Sequence, residues 1–264
     1  MDEWDCVVAV AAGMFAALYW ISWLRVAFRT DPLVRPRARQ EALFLCLVIC
    51  AGMVLATLLT AADPIVRGDI RYVFLFLAVA GVALAAATAA CALIGVSAID
   101  DALRRPNPAA AWVICGLWIG TTLCVCGANI GRGDTINTTL GPLLLAVGTL
   151  IGLWGVLDAL TGCAGSVSVE RDRVAGTRFA ALLTAWGLIL GRAVAGDWES
   201  TGRTLADFAA DGWPALVLLV AVVVTERMLR PSPRRPLPPL STGLLPAAAY
   251  LLLGAAWVAW LGKP

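Results

Sequence analysis

Chemistry in a protein rests on a short set of side chains, and this chain lacks the most versatile of them. It has 264 residues and no histidine. That removes the commonest metal ligand and the usual general base near neutral pH. Haem b ligation, zincin-type sites, His-based triads and phosphohistidine chemistry are excluded within this chain. Eight cysteines stand at 6, 46, 50, 91, 115, 124, 126 and 163. Cys46 and Cys50 share a helix face at i, i+4, and soft thiolates can bind copper(I) or zinc. No CxxC pair and no histidine completes such a site, and cysteine also packs as a small apolar residue. No metal or other cofactor is expected.

The charged residues nearest to apolar runs are Asp158, Arg178 and Arg192. Each lies within a turn or two of an expected helix end, where a long arginine stem can snorkel. A charge at mid-bilayer is costly and usually functional. None is placed there, which disfavours pumps built on central carboxylates. Asp158 has two readings: a partner of Arg173 or Arg178 in a vestibule, or a solvated end residue. Asp172 with Arg171, Arg173 and Arg178 is the one polar cluster an enzyme acting on lipid would have. It lacks an acid–base partner, so no enzyme is expected. Three Gly-Asp turns recur, in Arg67-Gly68-Asp69, Arg132-Gly133-Asp134 and Gly196-Asp197. Together on one face, Asp69, Asp134 and Asp197 would line an acidic mouth that concentrates cations. Taken singly, each is a glycine bend followed by an Asp helix cap.

These residues must be positioned by apolar helices. The chain is 60% hydrophobic and 14% charged, with mean hydropathy +0.84; soluble domains carry about 25% charged residues. A membrane helix needs about 20 mostly apolar residues. Eight stretches qualify: 6–23, 42–62, 72–97, 108–129, 138–160, 177–195, 212–228 and 243–261. The fold class is therefore all-α integral membrane, with about eight transmembrane helices and the lipid bilayer as main partner. The short connectors leave no room for a soluble catalytic or nucleic-acid-binding module. The acidic flank Asp2, Glu3 and Asp5 argues against a cleavable signal in the first stretch.

Charge sets the orientation. Fourteen of the 20 basic residues fall in the odd-numbered loops, and ten of the 18 carboxylates fall on the other side. By the positive-inside rule the odd loops face the cytoplasm and both termini face out. Nineteen Arg to one Lys, with abundant Ala, suggests a bacterial inner membrane with periplasmic termini. Trp4, Trp213, Trp257 and Trp260 fall near outer ends and Trp20, Trp23 and Trp112 near inner ends, as indoles favour the headgroup zone. Trp118, Trp154 and Trp186 lie deeper, between helices. The 204–211 stretch reads as a short interfacial helix with Leu205 and Phe208 facing lipid. The Pro-rich 231–239 segment reads as an extended inner linker.

The first three spans resemble spans five to seven in layout. In each set a central glycine (Gly52; Gly187) precedes an outer turn with Asp after small residues (Ala61-Ala62-Asp63; Ala195-Gly196-Asp197). This predicts two parallel four-helix units, 1–130 and 131–264. Arg171-Asp172-Arg173-Val174-Ala175-Gly176, then 182–187, then Gly196-Asp197-Trp198, carry a family likeness. The chain resembles a bacterial inner-membrane family of unknown function, built of tandem helical units and often encoded beside ATP-grasp enzymes. The likeness is clearest over 143–229, with Arg-Asp-Arg where Asn is usual. It implies the tandem architecture and no reaction.

Gly116xxxGly120, Gly127xxxGly131, Gly148xxxGly152 and Gly187xxxGly191 let helix backbones approach closely, within the chain or between copies. Three readings of function follow. One is a non-enzymatic accessory or scaffold component acting with a protein partner or as a homo-oligomer. The second is an oligomeric channel or passive transporter lined by Thr57, Thr60, Thr88, Thr121, Thr149 and Thr184. The third, a lipid-directed enzyme, has least to support it.

Overall fold

The computed structural model describes residues 3–29, 38–133, 136–229 and 239–262. Asp134 and most of the 231–239 segment lie outside the described residues. The elements are α1 (Glu3–Arg29), α2 (Ala38–Thr60), α3 (Pro64–Gly68), α4 (Ile70–Ile94), α5 (Pro108–Ala128), α6 (Ile136–Thr161), α7 (Cys163–Ser168), α8 (Arg173–Ala193), α9 (Thr201–Gly212), α10 (Pro214–Met228) and α11 (Leu245–Leu261). π-helical turns cover Ala98–Arg104 and Leu240–Leu244. No strand occurs among the described residues.

Eight helical stretches are long and apolar enough to cross a membrane. They coincide with the expected spans to within a few residues, with two extensions. The first runs to Arg29, and the seventh begins at Thr201 because α9 leads into α10 with only Trp213 between them. Helix starts follow capping chemistry. Asp63 accepts from Ile65 N ahead of Pro64, and Asn107 accepts from Ala109 N ahead of Pro108. Asp172 caps α8 and Ser200 caps α9 in the same way.

The spans form two rows. In one, α2, α5, α8 and α11 pack in that order; in the other, α1, α4, α6 and α10. Helices within a row run the same way, and the rows meet mainly through α4, α5, α6 and α8. The apolar stretches of α5 and α8 are 78% and 72% buried, against 11% for the first span and 17% for the last. So α5 and α8 are the centre, and α1, α10 and α11 turn apolar surface outward to lipid.

The α5–α8 contact is made backbone to backbone. A Cβ on Gly116 would strike Ala180, on Gly120 the Leu183 carbonyl, on Gly127 the Gly191 carbonyl, and on Gly187 the Gly120 backbone. Lower down, a Cβ on Gly176 would come within 2.7 Å of Ala109 Cα. Only glycine permits this approach, and the reward is continuous van der Waals contact along two parallel helices. Gly148 and Gly152 of α6 are different: they are exposed and nothing lies within 4 Å of an added Cβ. The seam also joins residues from either side of position 130.

The deep tryptophans fill the space around it. Trp118 Nε1 donates to Thr88 Oγ1 at 2.8 Å, Trp186 Nε1 to the Ala215 carbonyl at 3.0 Å, and Trp154 meets Phe179 edge to face. On α9 the expectation is half met. Leu205 is exposed, but Phe208 turns inward and packs beside Gly212.

Candidate functional site

Two polar regions lie at opposite ends of the helices. The first gathers the turns that follow α2, α5 and α8. The middle turn, 130–133, is gripped from both sides. Gly196 N donates to the Ile130 carbonyl and Trp198 N to the Arg132 carbonyl, each at 3.0 Å. Arg132 N donates to Asp197 Oδ1 at 2.7 Å, and Gly133 N donates to Asp63 Oδ2 at 3.3 Å. Consecutive amides of one turn are therefore held by carboxylates from two different helix ends. Gly131 (φ 112) and Gly196 (φ 140) adopt backbone that favours glycine.

Beneath this turn is a cavity of about 60 Å3, room for a few water molecules at roughly 10–15 Å3 each. Asp63, Asp197, Asn129, Thr139 and Trp198 are among its lining residues. Asn129 is 9% and Thr139 4% exposed, so both are set well into the protein. Asn129 Nδ2 is spent on the Val125 carbonyl at 2.8 Å, which leaves its Oδ1 as the available atom. Pro142 lines the same space and, lacking an N–H, gives no helix hydrogen bond to the Thr138 carbonyl.

The second region ties α8 to α10 and to the π-turn before α11. Arg178 Nε and Nη2 donate to Glu226 Oε1 and Oε2, both at 2.7 Å, and Nη1 donates to the Thr242 carbonyl at 2.7 Å. The side chains are 2% and 9% exposed. This is a two-pronged, charge-assisted pairing of two buried side chains. A void of about 10 Å3 beside it, lined by Thr161, Cys163, Ser166 and Asp172, has room for one water. Burial pushes the Cys163 thiol well above its ordinary pKa. Nearby, Asn107 Nδ2 donates to the Val167 carbonyl at 2.6 Å and pins α7 to the start of α5.

The residues singled out in the sequence separate clearly. Asp197 is in the first region. Asp69 is not: it caps α4 and grips Arg71 at 2.7–3.1 Å on the exposed surface. That guanidinium holds the Asp69 carboxyl down at about 2. Arg178 does not snorkel, and its partner is Glu226, not Asp158. Asp158 instead accepts from Ala164 N at 2.8 Å, capping α7. Arg173 opens α8 and is exposed. Arg192 donates to the Gly262 carbonyl at 3.2 Å and faces Asp211 at 3.7 Å, tying α8 to both flanking helices.

Asp63, Asn129, Thr139, Glu226 and Thr242 were not among the expected site residues. Glu226 had a signal. It is an acid in the last turn of a helix, where the helix dipole favours cations, so it needs a compensating partner. Among the described residues no group of three or more Cys, Asp or Glu is arranged to hold a metal ion. Cys46 Sγ lies 3.8 Å from the Cys115 carbonyl, packed between α2 and α5.

Comparison with known proteins adds no assignment: no family model, no curated protein and no solved structure matches this chain.

Proposed function

We propose that this multi-pass membrane protein is a non-enzymatic component that acts with a partner, as a scaffold or accessory subunit. In this reading it lies in a bacterial inner membrane with both termini periplasmic, so that the Asp197 region faces the periplasm and the Arg178 region the cytoplasm. The observation that carries it is the glycine-lined α5–α8 seam, which fills the centre between the two polar regions with backbone contact. A rigid centre suits a body that presents surfaces. Four of the six threonines suggested as a pore lining fit this reading too. Thr57, Thr60, Thr88 and Thr184 each donate to the carbonyl four residues back, Thr60 is exposed, and Thr88 also accepts from Trp118.

The test is purification in mild detergent followed by mass spectrometry of co-purifying chains, beside ion and small-solute flux in liposomes. A stoichiometric partner with no flux is expected. The likeness to proteins encoded beside ATP-grasp enzymes makes an enzyme of that class the first partner to look for. Flux above empty liposomes, with no partner, would overturn the reading in favour of a channel or passive transporter. The cavity reaching Asn129 and Thr139 is the feature that favours that alternative. Orientation has its own test. A cysteine placed at Arg132 is expected to react with an impermeant maleimide from the periplasm, and one at Arg37 only from the cytoplasm.

A further inference from the structure

We propose that the cavity beneath the 130–133 turn is a binding site for a hard divalent cation, with Ca2+ the best match. The argument begins with charge. Asp63 accepts from Gly133 N and Asp197 from Arg132 N. The two carboxylates thus reach the same cavity from two helix ends, Asp63 also capping α3 through its Oδ1. A cation held in that cavity would offset the negative charge they bring to it.

Two further groups point the same way. Thr139 is 4% exposed and Asn129 9%, and both line the cavity. The Thr139 hydroxyl makes no hydrogen bond to the described protein, and the Asn129 amide uses only its nitrogen. A hydroxyl and an amide oxygen that line this space keep acceptor capacity for a ligand. The donors are all oxygens: two carboxylates, one amide and one hydroxyl. Oxygen-only sets select hard cations over copper or zinc. With two carboxylates the charge balances a divalent ion. Mixed side-chain oxygens of unequal reach suit the variable coordination of Ca2+, whereas Mg2+ demands a near-regular octahedron of short bonds. A cavity of about 60 Å3 accommodates the ion with waters completing its shell. Asp207 also lines the space but is already paired with Arg203 at 3.0 Å. The inference stands apart from the partner-binding role, which survives its failure.

The test is calorimetric titration of the full chain in nanodiscs of zwitterionic lipid, with CaCl2 in chelator-treated buffer. One Ca2+ per chain is expected, with a Kd of about 0.1–1 mM, the range of extracellular modules. Asp63→Asn and Asp197→Asn keep an acceptor for the turn amides and are expected to weaken binding at least tenfold. Thr139→Val is expected to weaken it several-fold, and Asp69→Asn to leave it unchanged. Mg2+ alone is expected to bind at least tenfold more weakly than Ca2+. Lack of a saturable signal would overturn the site, as would wild-type affinity in both Asp→Asn variants. Equal affinity for Mg2+ would show diffuse attraction and overturn it too. Gel filtration reports folding; should either Asp variant fail to fold, the Thr139→Val titration decides.

Discussion

The two polar regions solve the problem of charge near a membrane by opposite means. Arg178 and Glu226 cancel each other side chain to side chain, bidentate and buried. Asp63 and Asp197 have no cation partner among the described residues; Asp63 accepts from two backbone amides and Asp197 from one, beside a cavity with room for water. The first arrangement is saturated. It bolts α8 to α10 and to the turn before α11, and it has nothing left to offer a ligand. The second is unsaturated. A saturated ion pair reports on architecture, whereas carboxylates with unused capacity around a cavity report on binding.

That contrast can be broken in order of expected effect. The largest effect is at the bolt. Glu226→Ala strands a buried guanidinium and is expected to cost about 3–5 kcal/mol, while replacing both partners with apolar residues of similar volume comes close to wild type. Unfolding in mixed micelles measures both; a loss below about 1 kcal/mol for the single variant would reduce the pair to decoration. Next comes the seam between the regions. Gly187→Ala forces a methyl against the Gly120 backbone and is expected to cost about 1–3 kcal/mol. Gly148→Ala, in open space, is expected to be neutral or slightly stabilising, so equal losses would refute the packing distinction.

A smaller effect is expected at the turn. Asp197→Ala removes one charge-assisted hydrogen bond at an exposed position, a loss of about 1 kcal/mol. It is read most sharply as faster hydrogen exchange at Arg132 and its neighbours, with the Arg178 region unchanged. The smallest is at Asp69. Its carboxyl lies at about 2 when folded, against an ordinary 3.8. A lowered folded pKa contributes stability above 3.8 that disappears as pH falls towards 2. The group is on the open surface, so the contribution is slight. Asp69→Asn is expected to leave thermal unfolding nearly unchanged at neutral pH and to flatten its decline only in that acid window.

The spans were legible because apolar length alone identifies a membrane helix, and capping residues such as Asn107 before Pro108 mark the starts. Relationships across the bundle were less so. The repeated glycine-to-Asp spacing in 52–63 and 187–197 marked Asp63 and Asp197 as equivalents, yet nothing local said that both would meet the 130–133 turn. That depends on α2, α5 and α8 standing side by side in one row. Gly-Asp dipeptides drew attention to Asp69, which a neighbouring arginine neutralises two residues away. Glu226 was hidden by its surroundings. Thr225-Glu226-Arg227 reads as a solvated helix end until the fold brings Arg178 from another helix to meet it.

The α5–α8 seam also sets a timetable for biosynthesis. Arg132 and its partner Asp197 are 65 residues apart in the chain, which at about 5–20 residues per second is roughly 3–13 s of translation. For that interval α5 has left the ribosome with its glycine face uncovered, and no earlier span replaces α8 there. The nascent first half must therefore be shielded by lipid, by an insertase or by a holding factor until the sixth span arrives.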